Sequence, residues 1–266
     1  MRRHGLRPRV VAPAAALREC FGASAAARGL DPLAQGWRGV GAALRRWPVG
    51  RPLLLCPGSL HAHPALLAAA LACRHQVWLY VPSLHDARTM RARLAGWRDA
   101  WVAPLLRQTR RWIVLNESQA ADLQARWGVA AAEVVVLPNL SRLRGAPPPA
   151  PAPDAQGRLR VAFVGRFDAN GKGLDWLAAT LAADPGWARR HQWHFQGQGP
   201  AHGLLQALAA GLGPDCVQVH AHGPVDAAFA RADVLLLCSR FEGQPLVALE
   251  ALQRGWPVVA LSLIHI

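Results

Sequence analysis

From residue 158 to residue 260 the chain repeats one rhythm: a short apolar run, a turn, then an Ala/Leu-rich stretch. The runs are RVAFVG, QWHFQG, CVQVH, DVLLLCS and PVVAL. Short apolar runs bounded by turn residues read as strands buried on both faces, and helical stretches between them make a parallel sheet covered on both sides. The expected architecture is α/β and doubly wound. Helices are predicted at about 174 to 183, after Pro200, around Ala227 and from Pro245. In the first of them Leu174, Leu177 and Leu181 fall at i, i+3 and i+7, one face turned to the sheet.

A less strict version of the pattern comes earlier. PRVVAP, PLLLCPG at 52–58, VWLYVPS at 77–83, WIVLN at 112–116 and EVVVLPN at 133–139 read as strands, with helical stretches at Ala65–Cys73 and Ser118–Trp127. Between the two series lies GAPPPAPAPDAQG, where prolines at 147, 148, 149, 151 and 153 forbid helix and favour an extended linker. The expected organisation is an N-terminal Rossmann-like domain over 1–145, a linker over 146–157 and a second Rossmann-like domain over 158–260. Both domains read as incomplete: the first opens at what looks like a later strand, and the second stops one strand after a helix with no closing helix. Residues 261–266, LSLIHI, depart from the Ala/Arg-rich style before them and resemble a translated sequencing adapter, so a non-native tail on a gene fragment is expected.

Composition narrows the function classes. The net charge is +14, from 30 basic and 16 acidic residues, and Lys172 is the only lysine. This balance suits anionic partners, including membrane surfaces and phosphorylated substrates. No dense Lys/Arg block interleaved with aromatics occurs, so nucleic acid is not an expected partner. Cys20, Cys56, Cys73, Cys216 and Cys238 are scattered without CxxC spacing, which argues against a zinc site or a disulfide framework and for a reducing compartment. No apolar run approaches the roughly 18 residues of a membrane helix. MRRHGLRPR is not followed by the apolar core of a signal peptide. The expectation is a cytoplasmic protein, with peripheral attachment to an anionic inner membrane face as the remaining mode of association.

Ligands of open α/β sheets bind beyond the carboxyl ends of the strands. After RVAFVG comes Gly165-Arg166-Phe167-Asp168-Ala169-Asn170-Gly171-Lys172-Gly173, a glycine-containing turn that opens a helix and carries two cations. Helix N-terminal amides favour an anion, Arg166 can grip phosphate oxygens bidentately and Lys172 adds a compact charge. After DVLLLCS comes Ser239-Arg240-Phe241-Glu242-Gly243-Gln244-Pro245, then a helix containing Glu250. Glu242 can accept hydrogen bonds from sugar hydroxyls and Glu250 from a ribose diol; Gly243 permits close backbone approach and Pro245 presets the helix start. At the level of residues the plainer alternatives stay open: Arg166 and Lys172 as solvated charges, Glu242 as a helix N-terminal charge, Glu250 as a solvated helix face.

The order and spacing of these motifs resemble family 4 of the glycosyltransferases, retaining enzymes of the two-Rossmann GT-B fold. VGRFDANGKGLDWL looks like that family's GR…KG turn, GQGP at 197–200 like its GxGP turn, and ADVLLLCSRFEGQPLVALEALQRGWPVVA like its Glu-x7-Glu segment. VVVLPN resembles the end of the family's first domain, with Leu140 where Gly is usual. The resemblance implies a hexosyltransferase-like activity: a sugar moves from a nucleotide-diphosphate-sugar to a glycan, lipid-linked or small-molecule acceptor, with anomeric configuration retained. It implies Arg166 and Lys172 on the diphosphate, Glu250 on the ribose and Glu242 on the transferred sugar. Gly243, Gln244 and Pro245 would add backbone contacts, and the HGPV segment, including Gly223 and Val225, would lie near the base. Catalysis would rest on Glu242, Arg166 and Lys172, with no cofactor and no metal, in keeping with the absence of a DxD-type motif. His61, His63 and His85 follow strands of the first half, and His85 is the best candidate for an acceptor or sugar contact. The alternative is a nucleotide- or polyphosphate-binding Rossmann module without transferase activity.

Overall fold

A computed structural model describes residues 44–45, 47–48, 52–57, 60–61, 64–90, 93–141, 143–151 and 154–261. The PRVVAP run, Cys20, His63 and residues 262–266 lie outside the described residues.

Ahead of the linker the strands are β1 (Pro52–Leu55), β2 (Gln76–Tyr80), β3 (Arg111–Val114) and β4 (Val134–Val136), all parallel and ordered β1-β2-β3-β4. Helices α1 (Pro64–Ala72), α2 (Ala95–Arg107) and α3 (Glu117–Trp127) connect them. The ends of α3 are written locally: the Asn116 side chain accepts the Gln119 N–H at 2.9 Å, and Gly128 closes the helix in the left-handed region. Helix α2 is absent from the sequence expectation because Pro104 sits inside it and two tryptophans lie on its outer face, which hides the apolar period. Trp112, fully buried in β3, anchors the core of this unit with Leu106 and Leu123.

From Gly145 to Gly157 the described residues form neither helix nor strand. The second unit runs β5 (Leu159–Arg166), α4 (Leu174–Ala183), α5 (Pro185–Ala188), β6 (His191–Gln198), α6 (His202–Leu212), β7 (Val217–His220), α7 (Val225–Phe229), β8 (Val234–Leu237), α8 (Leu246–Gln253) and β9 (Val258–Ala260). Its sheet is parallel with order β7-β6-β5-β8-β9, so the winding reverses between β5 and β8. Leu174, Leu177 and Leu181 pack on one face of the sheet with Phe163 and Phe195, and Phe229, Ala248 and Trp256 cover the other. Asp233, just before β8, accepts the Arg160 backbone N–H at 2.8 Å and takes its guanidinium at 2.7 and 3.0 Å, stapling β8 to β5 at the edge away from the carboxyl ends. The guanidinium holds the Asp233 carboxyl below the usual carboxylate range.

The turn after β5 is fixed by Phe167. Its backbone N–H donates to the Gln198 carbonyl at 2.8 Å, its carbonyl accepts from Ala201 at 2.9 Å, and its fully buried ring lies on Phe163 and stacks on His202. Phe167→Ala is expected to destabilise the second unit by about 3 to 5 kcal/mol, the usual cost of emptying a buried aromatic site. Chemical denaturation followed by far-UV circular dichroism measures it.

Candidate active site

Because β5 and β8 are hydrogen-bonded neighbours, the turns that follow them emerge side by side. Gly173 starts α4 in the left-handed region, and a Cβ there would overlap the Cys238 carbonyl oxygen, so glycine lets the first turn lie against the second. The turns are laced together. The Arg240 N–H donates to the Gly171 carbonyl at 3.0 Å, the Arg240 guanidinium reaches the Asn170 carbonyl at 2.8 Å and Asp175 at 2.6 Å, and the Cys238 thiol donates to the Lys172 carbonyl at 3.1 Å. Burial pushes the Cys238 thiol up to about 11, so it remains a protonated donor at neutral pH.

This lacing brings Lys172 and Glu242 into contact. The Lys172 ammonium meets Glu242 Oε1 at 2.5 Å, and the buried Ser239 hydroxyl donates to the same oxygen at 2.7 Å. Among the described residues Glu242 Oε2 has no hydrogen-bond or ion-pair partner, and Glu242 lines the cleft. Arg166, exposed at the end of β5, has no hydrogen-bond or ion-pair partner among the described residues. One cation is thus held by a carboxylate and the other is open to an anion.

Both side chains line an open cleft of about 1160 Å³ between the two units. Its floor carries Gly165, Gln196 and Gly199, one flank His222 to Asp226, and the α8 side Pro245, Val247 and Glu250. The opposite wall comes from the first unit through Pro82, Ser83, Leu115 and Asn139. The walls touch at Gly243, where a Cβ would overlap the Pro82 carbonyl oxygen. Asn116 donates to the Gly243 carbonyl at 3.2 Å, and Asn139 takes both ends of Gln244, its N–H on the side-chain oxygen at 2.5 Å and its amide on the carbonyl at 2.9 Å.

The structure therefore gathers Arg166, Lys172, Gly223, Val225, Glu242, Gly243, Gln244, Pro245 and Glu250 around one cleft. Pro245 stands at the N-cap of α8, one residue before the first helical turn. His85 packs on Phe241 of the cleft wall, ring centroids 5.6 Å apart. His61 does not line the cleft: it is buried in the first unit, bonded to Asp99 at 2.7 Å and set edge-on to Trp127. Sequence reasoning missed Asn116, Asn139, Ser239 and Gln196. The buried Gln196 amide donates to the Gly223 and Pro224 carbonyls at 3.2 and 2.9 Å and fixes that flank. Asn139 alone left a signal, as the last residue of VVVLPN.

Residues 158–265 match the family model described as glycosyl transferases group 1. Comparison with curated proteins gives no match. Among solved structures the fold is similar to TarM of S. aureus in a complex containing UDP (17% identity, TM-score 0.58, 74% of this chain and 39% of that one). It is also similar to the pneumococcal O-GlcNAc transferase GtfA with UDP and GlcNAc (17% identity, TM-score 0.61, 85% and 45%). The lipopolysaccharide outer core galactosyltransferase WaaB in its apo form is a third neighbour (19% identity, TM-score 0.54, 84% and 60%). The chain spans less than two thirds of the length of each. Two Rossmann-like parallel-sheet units with a cleft between them are the GT-B arrangement.

Glu250 permits a test of the cleft's electrostatics. Burial, and secondarily the nearby Asp226, raise its carboxyl above 4.5. The folded chain then holds this proton more tightly than the unfolded chain, so the contribution to stability is present at low pH and is lost as pH rises through 4.5 and past the folded value. Glu250→Gln is expected to raise the melting temperature at neutral pH, with the gain vanishing well below pH 4.5. Melting curves across that range check the sign.

Proposed function

We propose that this chain is the catalytic core of a retaining glycosyltransferase that moves a sugar from a nucleotide-diphosphate-sugar to an acceptor hydroxyl. The observation that carries the reading is the meeting of Arg166, Lys172, Glu242 and Glu250 on one cleft, from turns and a helix that follow adjacent strands. The bound UDP of TarM and GtfA makes a uridine diphosphate donor the first to try.

In this reading the donor diphosphate lies beside the start of α4, between the free Arg166 guanidinium and the Lys172 ammonium. As the glycosidic bond breaks, negative charge grows on the leaving diphosphate, and these two cations together with backbone amides stabilise it without reorganising. Glu242, fixed through Oε1 by Lys172 and Ser239, offers Oε2 to a hydroxyl of the transferred sugar. Glu250 accepts the ribose diol from α8, and the flank held by Gln196 receives the base. The acceptor, a glycan, a lipid-linked sugar or a small molecule, enters from the wall of Pro82 and Ser83, where His85 backs Phe241.

Two substitutions separate the roles. Lys172→Ala is expected to lower both UDP affinity and turnover, with the turnover loss on the order of 10²- to 10³-fold for a lost electrostatic stabiliser. Glu242→Ala is expected to lower turnover while UDP binding holds or tightens, since it frees the Lys172 ammonium. Calorimetric titration with UDP and release of sugar from a panel of nucleotide sugars measure the two quantities. Full turnover in both variants sinks the site; retained UDP binding with background turnover of every donor in the unaltered protein would leave a nucleotide-binding module.

A further inference from the structure

Helix α2 carries a surface that the donor cleft does not use. Leu94, Trp97 and Trp101 follow one another at i, i+3 and i+7 and are 77%, 80% and 59% exposed, while Val102 and Leu106 on the opposite side are buried. Two adjacent tryptophans in water are costly, and an indole combines a large apolar body with one polar N–H, the pairing that suits the headgroup level of a bilayer.

The surroundings of the stripe are cationic. From Ala87 to Asn116 the sequence holds seven arginines, at 88, 91, 93, 98, 107, 110 and 111, and one acidic residue, Asp99, a balance of +6. Asp99 is turned inward, accepting from His61 at 2.7 Å and from the Ala87 N–H at 3.0 Å. Arg88, Arg93 and Arg98 are exposed and have no carboxylate partner among the described residues.

We infer that this face of α2 lies on an anionic lipid surface, with Leu94, Trp97 and Trp101 in the headgroup layer and the arginines on lipid phosphates. An apolar stripe flanked by basic residues is the pattern of helices that lie in the plane of a bilayer. A second copy of the chain fits less well, since facing stripes would also bring the arginine clusters together. The helix is joined to the cleft: Asp99 holds Ala87, the end of the loop that begins with Pro82 and Ser83 on the cleft wall. A bilayer on α2 would therefore lie next to that wall. The inference does not rest on the donor reading, because vesicle binding needs no nucleotide.

The test is cosedimentation of the full chain with vesicles of equal parts phosphatidylglycerol and phosphatidylcholine, beside vesicles of phosphatidylcholine alone. Binding to the anionic vesicles is expected to exceed binding to the neutral ones and to weaken in added salt. Trp97→Ala with Trp101→Ala is expected to lower the partition at least about tenfold, and Arg93→Glu with Arg98→Glu to do the same with the apolar stripe intact. UDP affinity and melting temperature are expected to stay unchanged in both. Failure to bind anionic vesicles overturns the inference, as does equal binding by both variants. It is also overturned if the substitutions change only the oligomeric state seen by light scattering, or only the affinity for duplex DNA.

Discussion

The adjacency of β5 and β8 is the constraint on which the rest of the second unit depends. At this position the sheet reverses its winding, so two turns far apart in sequence must leave the same edge together. Everything chemical follows from that crowding. Gly173 is needed because the Cys238 carbonyl occupies the space a side chain would fill, and Arg240 and Cys238 complete hydrogen bonds that neither turn could make alone. The contact between Lys172 and Glu242 is the outcome: charges 70 residues apart in sequence become one pair. The opposite edge is held by Arg160 and Asp233, which fix where β8 begins and hence where its turn ends up.

The cleft is equally a product of the first unit. Asn116 caps α3 with its side-chain oxygen and donates from its amide to Gly243, so one residue, two positions past β3, starts a helix and reaches the facing unit. Asn139, just beyond β4, pairs with both polar ends of Gln244. Arg254 grips Asp226 with two nitrogens while donating to the Arg144 and Gly145 carbonyls, which ties the start of the linker to α7 and α8. Each of these residues bonds at least one backbone carbonyl, and the donors sit at or just beyond the ends of elements. The separation of the walls is therefore set by short, rigid connections, with Gly243 at the closest point.

Much of this was legible in the sequence, and for identifiable reasons. Strands such as RVAFVG and DVLLLCS are buried on both faces and show as uninterrupted apolar runs. Their following turns stand out because glycine and charge concentrate there. Helix α2 was not legible, since its outer face is apolar and Pro104 interrupts it. His61 and His85 look alike in sequence, each a histidine shortly after a strand, yet one turns inward to Asp99 and the other lies against Phe241. That difference depends on packing with residues about forty and more than a hundred positions away, which no local pattern encodes. Asn116, Ser239 and Gln196 escaped for a related reason: each acts by holding another residue, and polar side chains at the ends of strands are common.

The choice of lysine at 172 has its own physical logic in a chain whose other cations are arginines. A guanidinium is planar and best satisfied by two parallel acceptors, whereas an ammonium is a compact charge with rotatable donors. Position 172 meets a single carboxylate oxygen that Ser239 already shares, in a pair that is partly buried, with side-chain exposures of 29% and 15%. A fork there would compete with Ser239 for Oε1 or engage Oε2 as well. An ammonium can keep its bond to Glu242 and still turn a remaining N–H toward an incoming anion. Arg166, exposed and without a protein partner among the described residues, is under the opposite demand, and its fork matches the paired oxygens of a phosphate. The two cations of the first turn are thus unlike because their neighbours are unlike: one is held by the protein on one side, the other is open on both.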